Sequence, residues 1–379
     1  MDYKKKTIEL IKEEFQFAKQ RKLEERDYLK EWSDNPEKYV CVFGAGSGGF
    51  AVYSAYRKFG LNIDFFCDNN SAKWGTKVWG DIPCISPETL LEYRDNVVVV
   101  IAAGTKILED IYQQLLDMGM PNIVKHCESQ LFMELLQDTS DFDIPSEIVA
   151  EKMQVVMDML EDELSQKVLY YKFLYLSSKR EQMNEIDFGD VFTPHQYFIE
   201  NGKYLDKGDC IIDCGSFDGD TLRYLMEQIG YQDFERYVCY ELDPDTFGCL
   251  QKNVEQYPED MKKRIEIRPY GVGGGNTRIC LDEATGKYGN VVALDDMEQG
   301  NKVTFLKMDI EGAEMDTLHG AKRILQEQKP QCAICVYHKI SDMWMIPLFL
   351  HEMLPEYQII FRHHQYSWSE TVCYAVRRL

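Results

Sequence analysis

IIDCGSFDGDT, residues 211–221, is the stretch on which the fold turns. Ile211 and Ile212 close an apolar run, Gly215 and Gly219 allow a sharp bend, and from Asp220 the pattern becomes helical. Strand, glycine bend and helix start, in that order, open a parallel α/β sheet. The glycines let the backbone approach a ligand closely, and the helix start offers free amides. Asp213, Asp218 and Asp220 occupy the same loop, where they would repel a phosphate. They suit a ligand with a cationic head and hydroxyl groups.

Downstream, RYVCYEL, RIEIRPY, VTFLKMD and CAICVYH read as further strands, separated by helices except after RIEIRPY. Short strand-like pieces between Gly271 and Asp296, with turns at Gly273-Gly274-Gly275 and Gly286, predict a hairpin insertion. QIIFR and TVCYAV are joined by a loop too short for a helix and must be antiparallel neighbours. Five parallel strands closed by an antiparallel pair predict the class I methyltransferase sheet over 206–379. The second strand ends at Glu241, 26 residues after Gly215, where an acid accepts hydrogen bonds from both ribose hydroxyls. A dinucleotide site also places an acid there, but its GxGxxG loop carries no acids. S-adenosylmethionine has both the cationic head and the ribose.

Upstream, YVCVF followed by Gly44, Gly46 and Gly49 gives GxGxxG between a strand and a helix, with Asp68 24 residues beyond Gly44. NIDFFCD and NVVVVIAAG, ending at Gly104, continue the alternation. We read 37–129 as a smaller Rossmann-like parallel α/β domain of the nucleotide or nucleotide-sugar-binding type. Residues 1–36 form an amphipathic helix, with Ile8, Ile11, Phe15 and Ala18 at helical spacing, expected to pack on that domain or to dimerise. Residues 130–205 carry long helical patterns with 15 acidic and 6 basic groups, and are expected to be a solvated helical bridge.

The stretch from about Gln196 to Val376 resembles the FkbM-type methyltransferases. IIDCGSFDGDT matches the first motif, YELDPD the ribose-acid turn, LDEATG with ALDD the central hairpin, and FLKMDIEGAEMDTLHGA the most distinctive string. The tail, VYHKISDMW and FRHHQYSWSETVCYAV, is similar to members carrying an extra N-terminal domain. The resemblance implies that Asp213, Gly215, Asp218 and Gly219 hold the methionine moiety and Glu241 the ribose. Ser216, Asp220, Thr221 and Leu242 complete the candidate cofactor site. Leu242 stands where the family usually has proline, which should alter turn stiffness more than ligand chemistry.

Methyl transfer needs an aligned acceptor and removal of its proton. Asp309 and Glu311 after the fourth strand, and His338 and Lys339 after the fifth, lie where such groups belong. His338 has the ordinary pKa for a general base, or it caps its strand. Asp309 is a base, a metal ligand or an anchor for the cofactor loop. Glu314 reads as a first-turn helix acid. His363 and His364 are expected in a surface loop, and Tyr337, Trp344, Tyr366 and Trp368 as a sugar platform or as core.

The balance of 64 acidic against 42 basic residues, a net charge of −22, argues against nucleic acid and anionic membranes as partners. The longest strictly apolar run, Val97 to Ala103, is too short to span a membrane, and the start lacks an apolar signal core. Twelve cysteines are then expected as reduced thiols in a cytoplasmic protein. Cys332 and Cys335, alone as a closely spaced pair, read as strand packing rather than a zinc site, so no metal is assigned. These readings converge on an S-adenosylmethionine-dependent methyltransferase, with O-methylation of a sugar, glycolipid or polysaccharide-precursor hydroxyl. The acceptor is a small molecule or glycan, and a nucleotide-sugar is the expected ligand of the first domain. The alternatives are an NAD(P)-dependent oxidoreductase and a non-catalytic nucleotide-sugar-binding protein. The oligomeric state stays open, a homodimer included.

Overall fold

The computed structural model describes residues 1–58, 60–103, 105–124, 140–178, 186–282, 286–366 and 368–378. The expected domain boundary at 129/130, Gly104, and the Glu283-Ala284-Thr285 part of the hairpin lie outside the described residues. No helix of the described residues is long and apolar enough to cross a membrane.

Five parallel strands form the first sheet: β1 (Tyr39–Phe43), β2 (Phe65–Cys67), β3 (Cys84–Ile85), β4 (Val97–Ile101) and β5 (Ile123–Val124), in the order β3-β2-β1-β4-β5. Every residue of β4 is buried, as a parallel strand covered on both faces requires. β3 and β5 have two residues each, too few to show a period, and so escaped the sequence reading.

The N-terminal segment departs from expectation. It is two helices, Tyr3–Glu14 and Ala18–Asp34, joined by a 3₁₀ turn. Ile8, Ile11, Phe15 and Ala18 are buried as their spacing predicts, but the first helix packs against the bridge rather than the first domain. The Phe15 ring lies 5.9 Å from Phe142 and 6.0 Å from Phe173. The second helix reaches the first sheet, where Ser33 Oγ accepts from Asn62 N at 2.7 Å.

The bridge is more than a solvated connector. Its helices Ser146–Met159 and Glu163–Ser177 bury Val149, Met153, Val156, Val168, Leu169 and Phe173, while Glu147, Glu151, Asp158 and Glu163 face solvent. One apolar cluster runs from Val40 and Val98 of the first sheet through these side chains to Ile212 and Leu306 of the second. The buried Lys172 donates to Trp368 O and lies 3.2 Å from the centre of the Trp368 ring, a cation–π contact.

The second sheet comprises β6 (Cys210–Cys214), β7 (Arg236–Tyr240), β8 (Ile265–Arg268), β12 (Phe305–Met308), β13 (Gln331–Cys335), β14 (Tyr357–His363) and β15 (Thr371–Arg377). Their order is β14-β15-β13-β12-β6-β7-β8, and β15 alone runs antiparallel to its neighbours. This is the class I methyltransferase arrangement. Between β7 and β12, β9 (Gly271–Val272), β10 (Thr277–Asp282) and β11 (Lys287–Val292) form a separate three-stranded sheet holding the expected hairpin. The outer edge of β14 is covered: Phe361 N donates to Ser165 Oγ at 2.9 Å, and Thr193 N donates to His363 O at 2.7 Å. Cys332 and Cys335 pack into different apolar clusters, and the eleven described cysteines are free thiols.

β7 and β8 are tied to the following loop by Glu298. Its fully buried carboxylate pairs with Arg236 at 2.6 Å and Arg268 at 2.8 Å, and accepts from Tyr240 OH at 2.7 Å. Breaking a buried pair strands its partners, at a cost of about 3–5 kcal/mol. Glu298→Ala is therefore expected to lower the urea midpoint strongly with an unchanged m-value. A midpoint like that of the wild type would remove this account.

Candidate active site

Strand order reverses between β6 and β12, and α/β sheets bind ligands outside the carboxyl ends of the strands at such a point. A cavity of about 950 Å³ opens there. Its floor is fixed by a charge pair across the two strands. Lys307 and Asp213 are register partners, both buried, with Nζ 2.9 Å from Oδ1. Lys307 also donates to Gly215 O at 2.7 Å, and Asp213 Oδ2 accepts from Tyr237 OH at 2.8 Å.

Gly215, at φ +75°, then turns the chain, and a β-carbon there would sit 1.8 Å from Asp309 O. No side chain fits at that bend. Gly215 N and Ser216 N both donate to Tyr240 O at 3.0 Å, and Ser216 Oγ returns to Asp213 O at 2.8 Å. Gly219, at φ +88°, starts the helix Asp220–Tyr224. The Glu241 carboxylate bridges the two loops: Oε2 accepts from Phe217 N at 3.0 Å and Oε1 from Asp243 N at 2.8 Å. Burial raises the pKa of Glu241 despite these bonds, and burial likewise raises that of Asp220.

The expected cofactor residues divide accordingly. Gly215, Asp220, Thr221, Glu241 and Leu242 line the cavity. Asp213 and Ser216 lie beneath the loop, with their polar atoms turned to the protein, and Asp218 faces Arg223 at 3.4 Å. Gly219 does not line the cavity and acts as the left-handed residue before the helix. Leu242 packs under the hairpin, where a β-carbon at Gly289 would lie 2.2 Å from its Cδ1.

The opposite wall is polar. Asp309 accepts from Tyr197 OH at 2.7 Å and from Tyr337 OH at 3.0 Å. Burial opposes its charge, yet Lys307, His338 and the two hydroxyls hold its pKa below the usual carboxylate range. Glu370 accepts from Tyr337 OH at 3.3 Å, and burial together with the charge on Asp309 raises its pKa. Tyr197, Phe217, Glu311 and Glu370 all line this cavity with positive φ, from 47° to 66°. Such backbone strain concentrates at functional sites.

His338 sits behind this wall and does not line the cavity, contrary to its expected place over the cofactor. Its Nδ1 lies 2.8 Å from Glu314 Oε1, and its Nε2 lies 3.4 Å from Asp309 Oδ1 and 3.6 Å from Glu311 Oε2. Burial opposes its charge, but the bond to Glu314 and the three carboxylates outweigh it and raise the pKa to about 9. A raised pKa favours the imidazolium, whereas a general base needs the free imidazole. Glu314 is fully buried rather than a solvent-facing helix acid, and also accepts from Ile310 N at 3.0 Å.

Other expectations need revision. His363 is a buried residue of β14 bonded to Thr371 Oγ1, not a loop residue. Trp344 and Trp368 are core, each 1% exposed, whereas Tyr337 borders the cavity and the half-exposed Tyr366 stacks on Phe192. His364 does border the cavity, giving Nδ1–H to Thr193 O at 2.6 Å and accepting from Tyr374 OH at 2.8 Å. Burial lowers its pKa to about 4. Its neutral form thus adds stability that is complete above about pH 6.5 and disappears as pH falls through 4, worth about 3 kcal/mol. His364→Asn is expected to flatten the loss of urea stability between pH 7 and pH 5. An unaltered slope would assign that loss to other groups.

In the first domain, Gly44 (φ +117°) and Gly49 are required by packing: β-carbons there would meet Ala102 O at 2.4 Å and Gly44 O at 2.1 Å. Gly46 faces open space. Asp68 is engaged by its own chain, accepting from Ala45 N at 2.9 Å, Asn70 N at 2.8 Å and Lys73 Nζ at 2.7 Å. Local structure therefore accounts for this motif without a nucleotide.

Residues 250–367 match the family model described as the methyltransferase FkbM domain. Over that stretch the chain is similar to FkbM-type methyltransferase domains. The crystal structure of methyltransferase FkbM from Methylobacillus flagellatus KT superposes with a TM-score of 0.69 at 22% identity, covering 92% of each chain. That overlap includes the first domain, so the two-sheet arrangement is shared. A putative rRNA-methylase from Clostridium thermocellum covers 46% of this chain and 89% of its own, at 9% identity and a TM-score of 0.33. TrmK from M. capricolum, solved with S-adenosyl-homocysteine, covers 46% of this chain and 64% of its own, at 13% identity and a TM-score of 0.29. No curated protein matches the chain.

Proposed function

We propose that the FkbM-type domain transfers the methyl group of S-adenosylmethionine to a hydroxyl oxygen of a sugar, glycolipid or polysaccharide precursor. One observation carries this reading: a single cavity joins the glycine bend and Glu241 to the polar wall of Asp309, Tyr197, Tyr337 and Glu370. Its volume is at the upper end of the range for small-ligand sites. The donor set fits the cofactor. Gly215 opens a cradle that a β-carbon would fill, Glu241 presents a carboxylate at the strand end, and Asp220 adds a second acid beside the bend. When bound, the cofactor supplies an electrophilic methyl group on a sulfonium.

The chain's own contribution is placement and charge. Lys307 holds the bend by binding Gly215 O and Asp213 together. Asp309 is the ionised group on the acceptor side, and its two tyrosine hydroxyls fix its orientation. It is placed to receive the acceptor proton. A hydroxyl acceptor suits a wall made of carboxylates and phenols, which donate to and accept from sugar oxygens. Acceptor recruitment by the first domain, with a nucleotide-sugar as ligand class, rests on its sequence pattern alone, since packing already explains its glycine motif. Free thiols throughout the described residues suit work in a reducing cytoplasm.

Calorimetry with S-adenosylmethionine and S-adenosylhomocysteine tests the assignment. Both ligands are expected to bind one to a chain, and Glu241→Ala to weaken them at least tenfold. Absence of binding, or equal binding by the variant, would overturn the assignment.

A further inference from the structure

We propose that a smaller cavity, between residues 192–198 and the helix Asp220–Tyr224, is a subsite for a pyranose ring of the acceptor, the ring next to the one being methylated. The inference rests on the methyl-transfer reading and extends it from a hydroxyl to a saccharide of at least two rings. Gln196, Tyr197, Asp220, Thr221 and His364 line this cavity and the larger one alike, so a ligand of the smaller space lies beside the wall that holds Asp309. Its volume, about 360 Å³, is at the low end of the range for ligand sites and suits a single ring rather than a second cofactor.

The lining selects the chemistry. Among the described residues it holds no lysine or arginine and one carboxylate, Asp220, so an anionic ligand such as a nucleotide finds no fixed cation there. A neutral, hydroxyl-rich ligand matches the side chains better. His195 Nδ1 lies 2.9 Å from Tyr224 OH and Gln196 Nε2 donates to Glu370, while His195 Nε2 and Gln196 Oε1 have no partner among the described residues. Those two atoms are left for hydroxyl groups. Beside them Phe192, 36% exposed, stacks on Tyr366 at 4.6 Å with the rings 10° from parallel, and the C–H face of a sugar packs on such a flat aromatic rim. The backbone is strained at the same place. His195 (φ +62°) and Tyr197 (φ +66°) are left-handed within one turn, which Phe198 N closes by donating to His195 O at 3.1 Å. Of the eight non-glycine residues at positive φ among the described ones, five line one of the two cavities, and strain of this kind concentrates at ligand sites.

The test needs no turnover. Full-length protein, with and without S-adenosylhomocysteine, is passed over an array of neutral and anionic mono- to tetrasaccharides, and the best ligand is titrated by calorimetry beside its terminal monosaccharide. The expected result is a neutral saccharide of two or more rings, bound at least about tenfold more tightly than the monosaccharide. Phe192→Ala at the exposed rim, and His195→Asn, which keeps a residue tolerant of the left-handed conformation, should each remove that advantage and leave S-adenosylhomocysteine affinity unchanged. Saccharide binding of this pattern by wild-type protein that takes up no S-adenosylhomocysteine would uphold the subsite and overturn the methyl-transfer reading. No bound saccharide, equal affinity for one ring and two, or wild-type affinity in both variants would overturn the proposal. So would a matching loss of S-adenosylhomocysteine affinity in the variants, which would give the smaller cavity to the cofactor.

Discussion

Lys307→Met is expected to lower the unfolding free energy by about 3–5 kcal/mol, because it strands Asp213 inside the sheet with no cation. The two residues are register partners on the central strands, both essentially without solvent, and among the described residues Tyr237 OH supplies the one other bond to the Asp213 carboxylate. Replacing both members by apolar groups removes the stranded charge, and such replacements are often neutral. Asp213→Leu combined with Lys307→Met should therefore recover much of the loss. Urea denaturation of the single and double variants decides the matter: equal losses would mean that packing, not charge, is at stake. The double variant should still bind S-adenosylmethionine poorly, because Lys307 also holds Gly215 O.

Asp309→Asn is expected to reduce turnover by about 10²–10⁴-fold, the usual range for loss of a positioned proton acceptor. The amide keeps the size of the carboxylate and one oxygen for a tyrosine hydroxyl, so the fold should survive. It loses the charge. Cofactor affinity should hold, since only the backbone oxygen of Asp309 meets the Gly215 bend. Transfer of labelled methyl from S-adenosylmethionine to a hydroxylated glycan acceptor, followed over a single turnover, gives the rate. A raised KM with unchanged kcat would make Asp309 a binding residue instead.

The fold was largely legible because the second sheet is built from runs such as CIIDC, YVCY and CAIC, whose burial leaves nothing but strand as a reading. The glycine bend was legible for the same reason, since only a left-handed turn explains Gly215 there. What the residues could not reveal was direction. A motif places Asp213 and Asp220 in one loop, but the period-two alternation of β6 points Asp213 at Lys307, not at a ligand. A lone lysine inside FLKM was the available signal: a cation in a buried strand needs an acid on the next strand. Glu314 was misread because a helix acid and a buried histidine partner look identical until the chain beyond β13 returns His338 to it. Tyr197 and Glu370 escaped notice because they come from segments far apart in sequence, and only their shared contact with Asp309 and Tyr337 brings them together.

The covered edge of β14 bears on how copies of this chain can meet. A bare edge strand offers amides and carbonyls to any neighbouring strand, the common route to sheet extension and to fibres. Here Ser165 of the bridge helix takes Phe361 N, and Thr193 takes His363 O. The helices between the sheets therefore act as a plug for one end of the larger sheet. Loss of that plug, by cleavage in the bridge, would leave an adhesive strip along β14, and Ser165→Ala would leave the Phe361 amide without its acceptor. Aggregation, more than lost activity, is then the hazard built into this part of the architecture.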